Sequence, residues 1–153
     1  MTVLLGDNII SALGFTSAEN FVNVKNGVSG LKFFSDRYDL PEPLMASEID
    51  DARLNEAFEQ YGGGVPGKTQ NINYTKLEKA CIVSIAEALK DAKIDLSSER
   101  VLFILSTTKG NVFLLDENEQ CGYERNQLYL WRSAELISGF FGNKNKSLVV
   151  SNA

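Results

Sequence analysis

Residues Thr75 to Ile94 read TKLEKACIVSIAEALKDAKI. The threonine at the start of this stretch is followed three residues later by Glu78, which is the capping-box pattern that begins an α-helix. Small and apolar residues then recur at helical spacing, at Leu77, Cys81, Ser84, Ile85, Ala88, Leu89 and Ala92. The pattern therefore predicts a helix that runs from Thr75 to about Lys93.

The segments that follow this helix alternate between strand and helix patterns. Val101 to Leu105 is apolar at every position, which is typical of a central parallel strand covered by helices on both faces. We expect a helix to begin near Leu114 and continue towards Glu119, and a further helix from Trp131 to Phe141. Ser147 to Ser151 is predicted to be a strand.

The segments that precede the helix at Thr75 are shorter. Thr2 to Leu5 reads as a first strand, and a second capping box at Thr16 begins a helix with Phe21, Val22 and Val24 as its apolar positions. Leu31 to Ile49 reads as a loop with short strand pieces. Asp51 to Tyr61 is predicted to be a helix whose single apolar face carries Leu54, Ala57, Phe58 and Tyr61. Strands separated by helices indicate one α/β domain over residues 1–153.

The composition limits the function classes. The chain has 153 residues, 15 basic and 20 acidic residues and a formal net charge of -5, without a basic cluster, so nucleic acid is not an expected partner. The longest apolar run, Val101 to Leu105, is far too short to span a membrane. Cys81 and Cys121 form no CxxC motif, and the N-terminus does not resemble a signal peptide, so we expect a cytoplasmic protein.

The chain contains no histidine, so any acid–base chemistry it serves must use histidines from elsewhere. Cys81 lies on the apolar face of its helix and is expected to be a packing residue, whereas Cys121 could be exposed. We expect neither to be catalytic. Asp116, Glu117 and Glu119 read as a solvated helix face rather than a metal site. Tyr129 and Trp131 could line a pocket, but we expect them to pack in the core. No metal or cofactor is therefore expected.

A P-loop pattern occurs between Gly62 and Thr69, where Gly62 is followed by four residues and then by Gly67, Lys68 and Thr69. Such a loop could bind nucleotide phosphates through its amides and its lysine. A P-loop requires a buried strand before it and a helix that starts at the lysine. Here the preceding segment has helical spacing, so we interpret the pattern as a glycine-rich loop and keep nucleotide binding as an alternative.

Six segments together resemble one family in the correct order. They are Leu4 to Gly14, Lys25 to Leu31, Ala86 to Ile94, Arg100 to Gly110, Ser133 to Phe141 and Leu148 to Ala153. Their patterns are similar to those of the N-terminal half of the β-ketoacyl-acyl-carrier-protein synthases, which are condensing enzymes. The resemblance implies half of a thiolase-like fold, in which a mixed, mostly parallel sheet is covered by helices.

The resemblance also implies a reaction. In the family, a nucleophilic cysteine follows the (T/S)xA segment, which places it immediately after Ala153. This cysteine attacks an acyl thioester, and two histidines, or a histidine and an asparagine, then assist the decarboxylation of malonyl-carrier protein. Because these residues come later in the family's sequence, we expect a truncated chain that is inactive alone. The implied partner is acyl carrier protein, and no cofactor is implied.

The same alignment predicts site residues. Thr108 and Lys109 fall where the family places the residues beside its acyl pocket, and Lys109 is expected to point to solvent or to an anionic substrate. Glu135 replaces a residue that is usually neutral in the family. Leu148, Val149, Val150 and Ser151 are predicted to form the edge of a homodimer. A non-catalytic partner subunit of the same fold remains an alternative.

Overall fold

The computed structural model describes residues 1–35, 41–62, 72–116 and 122–151 of the chain. These residues form a mixed α/β domain with four helices and two small sheets. The helices are α1 (Ser17–Lys25), α2 (Asp51–Gly62), α3 (Lys76–Leu89) and α4 (Leu130–Phe140). The strands are β1 (Leu31–Phe34), β2 (Leu44–Ser47), β3 (Ile104–Ser106) and β4 (Leu148–Val150), and two 3₁₀ helices cover Val112–Leu115 and Arg125–Leu128.

The capping box predicted at the start of α3 is present in the structure. Thr75 Oγ1 accepts a hydrogen bond from the Glu78 backbone amide at 3.3 Å, and Glu78 Oε2 accepts one from the Thr75 amide at 2.9 Å. The helix ends at Leu89, four residues before the expected Lys93. Its last turn tightens because the Lys90 amide bonds to the Glu87 carbonyl three residues back, as helix ends often do.

The core lies where α2, α3 and α4 meet. Phe58 of α2, Phe140 of α4 and Tyr74, just before α3, form a cluster of aromatic rings with centroids 5.4–5.8 Å apart. Leu54 and Ile82 are buried beside them. The predicted apolar face of α2 is therefore confirmed: Leu54 and Phe58 are buried, and Ala57 and Tyr61 pack partly buried against the core.

The strands form two separate sheets. β1 and β2 pair as an antiparallel hairpin, and β3 and β4 pair in parallel. Within the described residues, the single, mostly parallel sheet that the sequence predicted is therefore not observed. The expectation that helices cover both faces of β3 is also wrong there: Phe103 and Leu105 are partly buried, whereas Leu102 and Ile104 are exposed.

The predicted first strand, Thr2 to Leu5, is not a strand in the structure. Val3, Leu4 and Leu5 are all exposed, and the segment forms no sheet ladder. The N-terminal segment is connected to α3 at Asn8, whose Nδ2 donates a hydrogen bond to Ser84 Oγ. The same nitrogen also donates to the Phe15 carbonyl. An apolar run supplies the side chains of a strand but not the partner that its backbone requires, so the prediction failed here.

Helix α1 begins at the predicted cap, because Thr16 Oγ1 accepts a hydrogen bond from the Glu19 amide. Its predicted apolar positions, Phe21, Val22 and Val24, are exposed rather than packed. The helix is instead anchored by buried Asn20, whose side-chain amide donates to three backbone carbonyls, those of Ile9, Gly14 and Thr16. A hydrogen-bonded amide thus takes the place of the expected apolar contacts.

We predict that Phe140→Ala lowers the free energy of unfolding by about 3–5 kcal/mol, because it removes a fully buried ring from the three-helix core. Urea denaturation would measure the change. Phe33→Ala is the matched control, since Phe33 is 66% exposed on the hairpin and its truncation is expected to change stability by less than about 0.5 kcal/mol. Equal losses for the two variants would contradict this description of the core.

Candidate functional site

The parallel pairing of β3 with β4 brings together two segments that are far apart in sequence. Ile104 pairs with Leu148, Leu105 with Val149 and Ser106 with Val150, so both strands end at the same edge of the sheet. Just beyond that edge, the Thr107 amide donates a hydrogen bond to the Val150 carbonyl at 3.1 Å. The carboxyl ends of parallel strands are a common location for binding sites in α/β proteins.

The turn at residues 107–110 is held by the side chain of its first residue, Thr107. Thr107 Oγ1 donates a hydrogen bond to the Lys109 carbonyl at 2.7 Å and accepts one from the Lys109 amide at 3.2 Å. Thr108 and Lys109, the predicted substrate-binding residues, are both exposed at the tip of this turn. Lys109 was expected to point to solvent or to an anionic substrate, and its exposure is compatible with both alternatives.

Five buried polar residues are linked by hydrogen bonds, and we call them the Glu78 cluster: Thr75, Glu78, Asn111, Gln127 and Ser133. Glu78 Oε1 accepts hydrogen bonds from Ser133 Oγ at 2.9 Å and from Asn111 Nδ2 at 3.3 Å. Its Oε2 accepts from Gln127 Nε2 at 2.8 Å and from the Thr75 amide at 2.9 Å. The cluster joins α3, α4 and both 3₁₀ helices.

The carboxylate of Glu78 is surrounded by neutral donors. A buried charge is costly unless its oxygens are fully hydrogen-bonded, and here four donors face them. Glu78 also lies in the first turn of α3, where the helix dipole favours a negative charge. Sequence analysis identified only the capping role of this residue, because its other partners, Asn111, Gln127 and Ser133, form no local pattern with it.

The predicted dimer residues lie on a strand with an open side. In the described part of the chain, β4 pairs with β3 alone. Leu148 and Val150 are 50% and 47% exposed, Ser151 is exposed, and Val149 is partly buried between them. An exposed apolar edge strand can pair with a strand of another chain.

One side of α3 faces an open groove. A cavity of about 590 Å³ separates α3 from β3, and its lining includes Cys81, Ser84 and Ile85 of the helix and Phe103 and Leu105 on the other side. A second crevice of about 310 Å³ continues past Leu89.

Cys81 lies in the wall of the groove but is poorly suited to act as a nucleophile. Burial raises the pKa of its thiol, and the nearby negative charge of Glu78 raises this pKa further. A reactive cysteine requires the opposite, a positive environment that stabilises the thiolate. The prediction that Cys81 packs against the core is confirmed, since it contacts the core cluster partly buried. Cys121 lies outside the described residues.

Tyr129 and Trp131 are not core residues, contrary to expectation. They are 55% and 48% exposed, and their rings stack on each other with centroids 6.3 Å apart. Both lie at the start of α4, whose buried positions begin at Ser133 and Ala134, so the helix packs through its later turns. Glu135 is exposed and pairs with Arg132 at 3.5 Å.

The remaining candidate motifs are only partly described. Helix α2 continues to Gly62, so a helix and not a strand precedes the P-loop pattern, as predicted; residues 63–69 lie outside the described residues. A helix was expected from about Leu114 to Glu119, but the structure has a short 3₁₀ helix, Val112–Leu115, followed by exposed Asp116. Glu117 and Glu119 lie outside the described residues. In the described ranges, acidic residues, cysteines and histidines form no group of three that could hold a metal ion.

No protein-family model matches the chain, and no curated protein matches it significantly. Among the helices of the described segments, none has both the length and the apolar character needed to cross a membrane.

We predict that Cys81 reacts at least about tenfold more slowly with a thiol reagent in the native chain than in urea, because burial both covers the thiol and disfavours its thiolate. The measurement uses a Cys121→Ser variant at neutral pH, so that a single thiol is followed. Labelling at the same rate in both conditions would show that the groove wall is open around Cys81.

Proposed function

We propose that the chain is the N-terminal half of a β-ketoacyl-acyl-carrier-protein synthase with a thiolase-like fold. The observation that carries the proposal is the contact between the turn at residues 107–110 and the end of β4. Two segments that resemble the family's motifs separately, Arg100 to Gly110 and Leu148 to Ala153, meet through the hydrogen bond from Thr107 to Val150. In such an enzyme, the substrate-facing turn and the strand leading to the nucleophile have to be neighbours.

The proposed reaction is a Claisen-type condensation. A cysteine immediately after Ala153 would take the acyl group from a thioester and release the donor thiol. Loss of CO₂ from malonyl-carrier protein would then give a carbanion that attacks the acyl-cysteine, forming the new carbon–carbon bond and freeing the cysteine thiolate. The chain has no histidine, so the histidines that assist decarboxylation would come from the second half of the protein.

Within this reaction, the chain itself would provide binding and orientation. Thr108 and Lys109 would face the substrate from the tip of the turn, and the exposed ammonium group of Lys109 would attract an anionic, carrier-bound substrate. The open side of α3 would pack against the second half of the fold. The proposed partners are acyl carrier protein and a second copy of the enzyme, and no cofactor is required.

We predict that a longer protein, in which residues 1–153 are followed by their natural downstream sequence, takes up an acyl group on the cysteine after Ala153. Intact-protein mass spectrometry after incubation with an acyl thioester would measure the uptake. The chain of residues 1–153 with Cys121→Ser is the matched control and should remain unmodified, because its remaining thiol, Cys81, has a raised pKa.

Acyl uptake by the short chain would contradict the proposal. An extended protein that folds but is not acylated would contradict the catalytic role. That outcome would favour a non-catalytic partner subunit of the same fold.

We also predict that the chain forms a two-fold dimer through antiparallel pairing of β4, which Val150→Lys should weaken by placing a charge at the exposed edge. Light scattering at micromolar concentration would measure the mass. Phe33→Lys, on the separate hairpin sheet, is the matched control and should leave the dimer intact. A monomeric unsubstituted chain, or equal effects of the two lysines, would contradict an interface at β4.

A further inference from the structure

We infer that Glu78 is a positioning residue, which fixes the turn at residues 107–110 through Asn111. That the turn faces a substrate rests on the proposed function. The mechanical link itself rests only on the geometry of the described residues. Glu78 is fully buried and does not reach the turn directly, so it would act through its hydrogen bond to Asn111 Nδ2.

The turn is anchored at both ends. Its first residue is tied to the sheet by the hydrogen bond from the Thr107 amide to the Val150 carbonyl. Its last residue, Gly110, packs so closely that an added Cβ would lie 2.7 Å from Leu130 Cδ2. The next residue, Asn111, is buried and donates to the Gln127 carbonyl, Ser133 Oγ and Glu78 Oε1. The exposed tip with Thr108 and Lys109 is thus held between a sheet anchor and a buried polar anchor.

The second anchor requires a carboxylate at position 78. On the Oε2 side, the Thr75 amide can only donate. Gln127 cannot reverse its side-chain amide without losing its bonds to the Glu124 amide and to the Asn73 carbonyl. An amide group at position 78 would therefore keep its oxygen on this side and turn its NH₂ towards Asn111.

On the Oε1 side, the side-chain amide of Asn111 cannot reverse either, because its Nδ2 also donates to the Gln127 carbonyl at 2.8 Å. Ser133 Oγ can accept from the new NH₂ by rotating its hydroxyl group. The new NH₂ group at position 78 would then face another NH₂ group only at Asn111. Glu78→Gln should consequently weaken the anchor of the turn, because Asn111 then keeps only its bonds to the Gln127 carbonyl and to Ser133 Oγ and faces a second NH₂ group.

Amide hydrogen exchange of the chain, followed by NMR, tests the inference. The Thr107 and Lys109 amides, which bond to Val150 and to Thr107 Oγ1, report on the turn. In Glu78→Gln we expect these two amides to exchange at least about tenfold faster, while the amides of α2 keep their native rates. The conservative variant keeps the size of the side chain, so the effect reports on the lost acceptor.

Two further variants make the result specific. Leu54→Ala destabilises the core without touching the Glu78 cluster, and it should raise exchange in the turn only as much as elsewhere. Asn111→Ala removes the anchor without altering the capping box, and it replaces Glu78→Gln if that variant does not fold. Unchanged turn exchange, or equal acceleration in the turn and α2, would overturn the inference.

A kinetic measurement separates this inference from the proposed function. If the extended protein condenses acyl groups, Glu78→Gln should raise KM for the carrier-bound substrate more than it lowers kcat, because a loosened turn weakens binding. An inactive unsubstituted protein together with a loosened turn would refute the proposed function and leave the positioning role standing. An active protein with an unchanged KM in the variant would refute the positioning role.

Discussion

The buried carboxylate of Glu78 is the constraint on which the arrangement of α3, α4 and the two 3₁₀ helices depends. Its two oxygens accept four hydrogen bonds from groups at the start of α3, in both 3₁₀ regions and on α4. A charge removed from water loses its stabilisation if any one donor is misplaced, so the four segments have to reach their positions together. Apolar contacts in the adjacent core tolerate small shifts, whereas this hydrogen-bond geometry does not.

Much of the helical structure could be predicted from the sequence. Capping boxes at Thr16 and Thr75 and the periodic apolar positions of α2 and α3 are local signals, and the structure contains those helices. The first strand and the apolar contacts of α1 could not be predicted, because both depend on partners. Thr2 to Leu5 has the composition of a strand but is not paired with another strand among the described residues, and Phe21 is 68% exposed there.

The candidate site was predictable only in part for the same reason. Parallel neighbours are expected when two strands flank a helix, and β3 and β4 are paired in this way across α4. The Glu78 cluster left no recognisable pattern, because Asn111, Gln127 and Ser133 come from three separate segments and are common surface residue types. The contacts among these residues form only in the tertiary structure. Only Thr75 and Glu78 are close enough in sequence for their contact to be predicted from a local pattern.

The parallel pairing of β3 with β4 also dictates an order of events during synthesis. Ile104 emerges from the ribosome well before its partner Leu148, and all of α4 is translated between them. Until β4 has been synthesised, Ile104 and Leu105 belong to an unpaired, apolar segment. Such segments typically bind chaperones and are prone to misfolding and aggregation. The three-helix core can gather earlier, so the helices would form the platform on which the strand pair closes last.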